Sequence, residues 1–294
     1  MTLKELIDVA TVKDNFYDLD AYADFCDAYL SFIRDEHQAI IVSQNEHNYI
    51  FFQYKEDGNY AVTRPVNSDI MLTAENFESS RKQFYQALKN IHDIRYDPEA
   101  RQTVNRFIYT CQQAIGATLD ALPAGASNTA RKINGDLFER YIRMIIRAVG
   151  IDVEEGTVNI PVVHDGEELF SMAYQHDLIL KGRDGIKAIG SVKTSSKDRI
   201  DKIFIDKFLY NRLTEKNTPH FAVFLNDVQR KGKEPNYGVN TTFLTGHFKG
   251  YTVKLTPLDG VYYCDLRPVM KTDKLLSRTI RSLDCLLVED IWKF

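Results

Sequence analysis

Two strand-like segments joined by a short turn constrain the fold of this chain more than any other feature. Residues 173–180 and 186–193 have the apolar pattern of strands, and the Gly-Arg-Asp-Gly sequence between them is typical of a turn. Such a hairpin pairs the strands antiparallel, with opposed side chains about 4.5–5.5 Å apart at Cβ. Asp177 and Lys193 can therefore share one site, in which a carboxylate holds a divalent cation and an ammonium approaches a phosphate.

The elements predicted around this hairpin complete a mixed sheet flanked by helices. Apolar residues recur at helical spacing over residues 133–149, and Gly150 is well placed as a helix stop. Further strands are predicted at residues 152–163 and 220–225, with a helix over residues 196–213. The expected fold class is therefore α/β (α+β), a mixed β-sheet with helices on its faces.

A segment of small and turn-forming residues, 122–128, divides the sequence into two predicted domains. The elements predicted before it are helices at residues 17–33 and 74–91 and strands at residues 39–43 and 48–54. We therefore expect an N-terminal α+β region over residues 1–122. The second predicted domain covers residues 123–294. It contains the hairpin and ends in strand-like segments near residues 252–255 and 261–264.

Composition excludes several other classes of protein. The four cysteines are far apart and show no CxxC spacing, which argues against a zinc site or a disulfide framework. No stretch of about 18 apolar residues occurs that could cross a membrane. Residues 1–6 also lack the basic and then apolar order of a secretory signal. The expectation is a cytoplasmic protein of bacterial or archaeal type with no membrane partner.

Charge is distributed unevenly along the chain. The net charge is -4, yet residues 1–100 carry 9 Lys and Arg against 18 Asp and Glu, whereas residues 181–233 carry 13 against 6. The basic excess surrounds the hairpin, where a phosphate-bearing ligand would bind. The acidic first third would repel phosphates, so we expect it to face away from DNA or to serve dimer contacts or site selectivity.

The order of helix, hairpin, lysine and helix resembles the PD-(D/E)xK nuclease core. In that family acidic residues bind Mg²⁺, and the lysine activates water or stabilises charge on the phosphorane. One position departs from the pattern, because the acid usually found two residues before the lysine is Ser191 here, and a hydroxyl cannot supply that charge. Type II restriction endonucleases related to NgoMIV, SsoII and EcoRII carry this acid on the following helix, and residues 127–225 resemble that subgroup.

The resemblance implies roles for individual residues. Asp206 falls where the relocated carboxylate is expected, although the subgroup more often has Glu, and Glu139 matches the acid on the preceding helix. Asp177 and Asp206 are then expected to bind Mg²⁺, and Glu139 to hold a second ion or an ordered water. Lys193 positions or deprotonates the attacking water, with no covalent intermediate. His176 adjoins this site and is expected to be a structural partner.

Lys197, Asp198 and Arg199 match the (K/R)-(D/E)-R recognition triplet of the same subgroup. Ser195 or Ser196 can cap a helix whose exposed first turn is small enough to enter the major groove. Guanine presents N7 and O6 acceptors for Arg199 and Lys197, and the cytosine amino group can donate to Asp198. The resemblance implies a CC/GG half-site in a palindrome read by a two-fold dimer, with CCNGG favoured and CCGG second.

Weaker candidates for DNA contact are Asn128, Arg131, Lys132 and Lys202. The first three precede the helix of Glu139, where the matching segment of relatives with interrupted sites approaches the central bases. Lys202 shares a helix face with Arg199 and Asp206, because steps of three, four and seven residues return to one direction. The buried side of that helix is predicted to be apolar, with Ile200, Ile203, Phe204 and Phe208.

The favoured hypothesis is a homodimeric, Mg²⁺-dependent type II restriction endonuclease that cuts double-stranded DNA in defence against foreign DNA. A cognate DNA methyltransferase would act on the same site without needing to bind the enzyme. One alternative is a structure-specific or repair nuclease of the same fold, which needs no base-reading triplet. A second is a DNA-binding regulator that has lost catalysis, suggested by Ser191 and by Asp206. A third is an α/β interaction protein with no affinity for DNA even at low salt.

Overall fold

A computed structural model describes the chain from Met1 to Phe294 except for Gln38, Asp57, Gly58, Asp184 and Asp198. The chain forms two compact units, the first made of Met1–Met144 with Asp227–Thr242 and the second of Ile145–Asn226 with Phe243–Phe294. The predicted domain boundary between residues 122 and 123 stays a prediction. Among the described helices, none combines the length and the apolar character that a membrane crossing requires.

The helices are described in chain order. They are α1 (Leu3–Thr11), α2 (Leu19–Glu36), α3 (Ala74–Lys89), α4 (Pro98–Leu119), α5 (Ser127–Ala148), α6 (Ile200–Thr214), α7 (Thr245–Lys254), α8 (Pro268–Thr272) and α9 (Leu283–Cys285). Helices α2 and α3 confirm the predicted helical segments to within a few residues. Helix α5 begins earlier than predicted, so Asn128, Arg131 and Lys132 lie inside it and do not precede it. Local sequence explains where two of these helices begin. Asp18 caps α2 by accepting a hydrogen bond from Ala21 N–H at 2.8 Å. Asp97 caps α4, and Pro98 occupies its first turn.

The strands are also numbered in chain order. They are β1 (Ala39–Val42), β2 (Tyr49–Glu56), β3 (Asn59–Val62), β4 (Val66–Asn67), β5 (Val153–His164), β6 (Glu167–Gly182), β7 (Gly185–Ser195), β8 (His220–Asn226), β9 (Val228–Lys233), β10 (Asn236–Thr241), β11 (Gly260–Tyr263) and β12 (Ile280–Ser282). The strands predicted from the sequence correspond to β1, β2, β5 to β8 and β11. The strand predicted at residues 252–255 is wrong, because residues 252–254 lie in α7.

The first unit contains a small antiparallel sheet in which β2 pairs with β1, β3 and β4. The β9–β10 hairpin covers the aromatic side of β2, and its buried residues cluster with Tyr49 and Phe51. Asn45 fastens the hairpin, since its amide donates to Val239 O at 2.8 Å and accepts from Val239 N–H at 2.9 Å. Elsewhere in this unit the ring of Tyr22 on α2 stacks on Tyr141 of α5, with centroids 4.4 Å apart.

The second unit is built on a six-stranded sheet in the order β12, β11, β8, β7, β6, β5. Strands β5, β6 and β7 pair antiparallel, whereas β7, β8, β11 and β12 are parallel. Helices α6 and α7 contribute Phe204 and Phe248 to a buried cluster with Phe224 and Val261 of the sheet. The sheet is therefore mixed, and β7 is the strand at which antiparallel pairing changes to parallel pairing.

Candidate active site

The hairpin of β6 and β7 brings Asp177 and Lys193 together. The strands pair with Leu178 opposite Gly190. Asp177 Oδ2 accepts hydrogen bonds from Lys193 Nζ at 2.6 Å and from Val192 N–H at 2.8 Å. The two charged side chains are only 16% and 31% exposed, so the contact forms partly out of water, where it is stronger. The predicted proximity of the two residues is confirmed, and their chemical roles stay predictions.

Glycine at position 190 allows β7 to pass close to β8 just before Lys193. A Cβ atom at Gly190 would lie 2.5 Å from Phe221 Cζ and 3.0 Å from Leu178 Cδ1. Gly190 and Phe221 are paired across the parallel strands. A larger side chain here would displace a buried ring or separate the strands, and Lys193 depends on their pairing.

Helix α6 places Asp206 next to Lys202. Lys202 Nζ lies 2.5 Å from Asp206 Oδ2, one helical turn away, so the predicted common face is confirmed for this pair. The Asp206 side chain is 26% exposed, whereas that of Lys202 is 71% exposed. The ammonium can therefore move into solvent while the carboxylate stays against the protein.

The opposite side of α6 differs in part from its prediction. Three of the predicted apolar residues are buried: Ile200, Ile203 and Phe204. Phe208, however, is only half-buried, and Lys207 is buried beside it. Lys207 Nζ donates to Pro257 O at 2.7 Å and to Asp259 Oδ2 at 2.6 Å. These partners, which the helical spacing does not reveal, compensate the burial of the ammonium.

The charges of Asp177 on the β6–β7 hairpin and of Asp206 on α6 both favour the protonated form of His176. His176 is 7% exposed, and burial lowers its pKa because desolvation disfavours the imidazolium, while the charges of Asp206 and Asp177 oppose that change. The charges of both carboxylates therefore reach the same imidazole.

Aromatic residues and a second histidine surround His176. The Tyr210 ring centroid lies 5.7 Å from that of His176 and 5.3 Å from that of His220. Within the described part of the chain, the Nε2 atoms of both histidines are buried and have no hydrogen-bond partner. Burial lowers the pKa of His220 to about 4, so this ring is neutral near pH 7. The surroundings support a structural role for His176. His220 was not predicted from the sequence, because no motif marks it.

The proposed recognition residues lie in a turn rather than in a helix. Lys197 and Arg199 are exposed, and α6 begins only at Ile200, so the predicted helix start and its serine cap are wrong. Ser195 Oγ instead accepts from Lys197 N–H at 3.2 Å, and Ser196 O accepts from Arg199 N–H at 3.2 Å. These contacts close a turn. Asp198, the middle of the triplet, lies outside the described residues.

The start of α5 carries the weaker DNA-contact candidates. Asn128, Arg131 and Lys132 are all exposed, as a contact with DNA requires. Lys132 Nζ lies 3.0 Å from Asp136 Oδ2, which also accepts from Lys13 Nζ at 2.8 Å. Lys132 therefore contributes to a local ion-pair network, and its role in DNA contact stays a prediction.

Glu139 lies on α5 within the first unit and is half-buried. Its neighbour Arg140 donates to Lys13 O at 2.6 Å and to Phe16 O at 3.4 Å, which ties α5 to the segment after α1. The helix is thus held firmly at this point. A contribution of Glu139 to the site of Asp177 stays a prediction.

The two acids whose charges reach His176 are of the ligand type that a hard cation prefers. No group of three or more His, Cys, Asp or Glu side chains that could hold a metal occurs among the described residues. Mg²⁺ usually keeps several waters and takes one or two carboxylates together with substrate phosphate oxygens. Asp177 and Asp206 supply two carboxylates, so the residues present fit Mg²⁺ when a phosphate is also bound.

Antiparallel strands followed by a helix and a parallel strand, with helices packed on the sheet, form a mixed α/β fold. The crystal structure of the type IIP restriction endonuclease Kpn2I shares it, with a TM-score of 0.71 over 99% of this chain and 97% of that chain at 18% identity. The predicted fold class is confirmed. A complex of the restriction endonuclease AgeI with DNA aligns with 74% of this chain and 87% of that chain, but its TM-score of 0.38 and identity of 10% are too low to support an argument. No protein-family profile and no curated protein matches the chain.

Proposed function

We propose that the protein is a Mg²⁺-dependent type II restriction endonuclease that hydrolyses double-stranded DNA at a fixed palindrome. The observation that carries the proposal is the ion pair of Asp177 and Lys193, 2.6 Å apart on neighbouring strands of a fold shared with a restriction endonuclease along nearly the whole chain. A cation-binding carboxylate beside an ammonium can activate a water and stabilise the charge that develops during phosphodiester hydrolysis.

Each residue of the site has a definite task in this proposal. Asp177 and Asp206 would hold Mg²⁺, which when bound would lower the pKa of a water and neutralise charge on the phosphate. Val192 N–H and Lys193 Nζ fix the orientation of the Asp177 carboxylate. Lys193 positions or deprotonates the water that attacks phosphorus in line with the leaving oxygen, and its charge stabilises the phosphorane. Glu139 holds a second ion or an ordered water.

Sequence reading is assigned to the exposed turn before α6. Arg199 and Lys197 donate to guanine and Asp198 accepts from cytosine, which selects a CC/GG half-site. Two copies of the chain related by a two-fold axis then read a palindrome, CCNGG in the favoured version and CCGG in the second. Asn128, Arg131, Lys132 and Lys202 supply further DNA contacts. A cognate methyltransferase protects the same sequence in the host.

The decisive experiment is digestion of unmethylated phage DNA by the purified protein with Mg²⁺, followed by sequencing of the fragment ends. We expect ends that fall at one palindrome around CC/GG. Lys193→Ala and Asp177→Asn should both abolish cutting, since the first removes the ammonium and the second removes the charge that binds the cation. Thermal unfolding of each variant verifies that it is folded.

Other outcomes would replace the proposal with one of its alternatives. Fragments with random ends that still require Lys193 indicate a repair-type nuclease of the same fold. DNA that stays intact but is shifted equally with and without Mg²⁺ indicates a regulator without catalysis. Failure to bind DNA even at low salt, where phosphate contacts are strongest, indicates an interaction protein.

A further inference from the structure

The β9–β10 hairpin has one buried face and one basic face. Residues on alternate positions of a strand point to opposite sides. Val228 and Arg230 of β9 lie on the side of Val239, which is buried against β2. Lys231 and Lys233 therefore lie on the other side, and both are exposed. The hairpin presents two lysines outward from a packed base.

These two lysines differ in their contacts from Arg230, the residue before Lys231. Arg230 Nη1 donates to Val62 O at 2.5 Å, and its guanidinium lies 5.6 Å from the ring centroid of Tyr237, so it helps to hold the hairpin in place. Across the described part of the chain, Lys231 and Lys233 make neither an ion pair nor a hydrogen bond through their side chains. Both ammonium groups are available to an external anion.

The basic face of the hairpin differs in charge from the rest of the first unit, which is acidic. Residues 1–144 of the first unit carry 15 Lys and Arg against 21 Asp and Glu, so the pair is not part of a generally basic surface. By contrast, Lys13 and Lys132 in the same unit are both engaged by Asp136. An unpaired pair of like charges on an acidic unit is suited to binding an anion with repeated charges.

The spacing of the two lysines suits a nucleic-acid backbone. Two residues on one face of a strand are about 7 Å apart. The two flexible side chains can therefore each reach a different phosphate of one DNA strand. The turn is tightly built, because Gly232 has φ of +86° and a Cβ there would lie 2.2 Å from Asn236 O.

We propose that Lys231 and Lys233 form a site for the phosphate backbone of double-stranded DNA. The contact is independent of base sequence and adds affinity and orientation to the base reading assigned to Lys197 and Arg199. The inference rests on the proposed function, since it gives a second DNA contact to the same enzyme. The acidic first unit then contacts DNA directly through this hairpin.

The test is the salt dependence of binding to a short fluorescein-labelled duplex of mixed sequence without divalent ions, which prevents cutting. Each lysine that neutralises a phosphate contributes about 0.9 to the slope of log K against log salt concentration. The double variant Lys231→Ala, Lys233→Ala should therefore reduce the slope by about 1.8 and weaken binding most at low salt. Lys231→Arg, Lys233→Arg keeps both charges and should retain the slope.

A matched control removes the same charge from another part of the first unit. Lys82 and Lys89 are exposed on α3, and the double variant Lys82→Ala, Lys89→Ala should bind as the unchanged protein does. Equal slopes for the hairpin variant and the unchanged protein overturn the inference, and the proposed function then stands if phage DNA is still cut at one palindrome. If the unchanged protein neither binds the duplex nor cuts phage DNA, both proposals fail.

Discussion

At the scale of single residues, close packing around β7 decides whether the site can form. Gly190 leaves no room for a methyl group, since an added Cβ would contact the Phe221 ring at 2.5 Å. We expect Gly190→Ala to lower the free energy of unfolding by about 1–3 kcal/mol, the usual cost of overpacking. Urea-induced unfolding followed by circular dichroism measures this change.

Gly135→Ala is the matched control for that substitution. An added Cβ at Gly135 meets nothing within 4 Å, and the residue lies inside helix α5. Alanine is a better helix former than glycine by about 1 kcal/mol, so this variant should be stabilised. A Gly190→Ala protein that unfolds at the same urea concentration as the unchanged protein would contradict the packing argument.

Local geometry explains which site residues the sequence could predict. Asp177 with Lys193 and Lys202 with Asp206 meet because a hairpin and a helical turn bring fixed sequence separations together. The burial of Lys207 could not be predicted in this way, since its partner Asp259 is distant in sequence.

At the scale of elements, the turn before α6 shows the limit of capping rules. Serine is favoured both at helix caps and in turns, where its hydroxyl accepts from nearby N–H groups. Ser195 acts in the second way, while Ser196 accepts from Arg199 N–H through its backbone carbonyl, so the helix begins at Ile200 and Lys197 and Arg199 lie in a turn. The exposed side chains of Lys197 and Arg199 retain access to solvent in this arrangement.

The position of Arg199 in this turn leads to a prediction about specificity. Arg199→Ala should abolish cutting at the fixed palindrome and cost about 1–3 kcal/mol of discrimination, the contribution of one good arginine–guanine pair. Nonspecific binding should persist. Competition between the cut sequence and an unrelated duplex, measured without Mg²⁺, gives the discrimination directly.

The control for Arg199→Ala is an exposed arginine in the turn of the β6–β7 hairpin, at the opposite end of β7 from Arg199. Arg183 lies in the turn between β6 and β7, and Arg183→Ala should leave both cutting and discrimination unchanged. If Arg199→Ala still prefers the cut sequence as strongly as the unchanged protein does, the turn before α6 does not read bases.

Helices α4 and α7 show why sequence patterns did not predict every element of secondary structure. Helix α4 was not predicted, and it is buried along most of its length, including the polar residues Thr110, Gln112 and Gln113, so its buried surface is not confined to one apolar stripe. Residues 252–255 contain β-branched residues typical of strands, yet α7 forms there because Phe248 and Tyr251 pack into the cluster with α6. Tertiary contacts override local propensity in both cases.

At the scale of the whole molecule, buried histidines make stability depend on pH. Burial lowers the pKa of His220 from 6.5 to about 4, so the unfolded chain takes up a proton before the folded protein does. This contribution to stability is complete above pH 6.5 and is lost as the pH falls towards about 4. Its size is about 3 kcal/mol, from 1.36 kcal/mol per pKa unit.

Urea midpoints measured above and below pH 6.5 test this dependence. His220→Gln should flatten the decrease in stability, whereas His47→Gln, at an exposed position, should leave it unchanged. The lowered pKa of His176 acts in the same direction, so part of the decrease should remain in the His220 variant. Identical pH profiles for all three proteins would contradict the assignment.

The β9–β10 hairpin also affects how the protein is made on the ribosome. Residues 228–241 supply buried partners for Tyr49 and Phe51, although they are synthesised long after β2. A nascent chain consequently exposes an aromatic strand surface while all of β5 to β8 is being translated, which is a period of risk for aggregation. A gene truncated after residue 144 would leave that surface permanently uncovered.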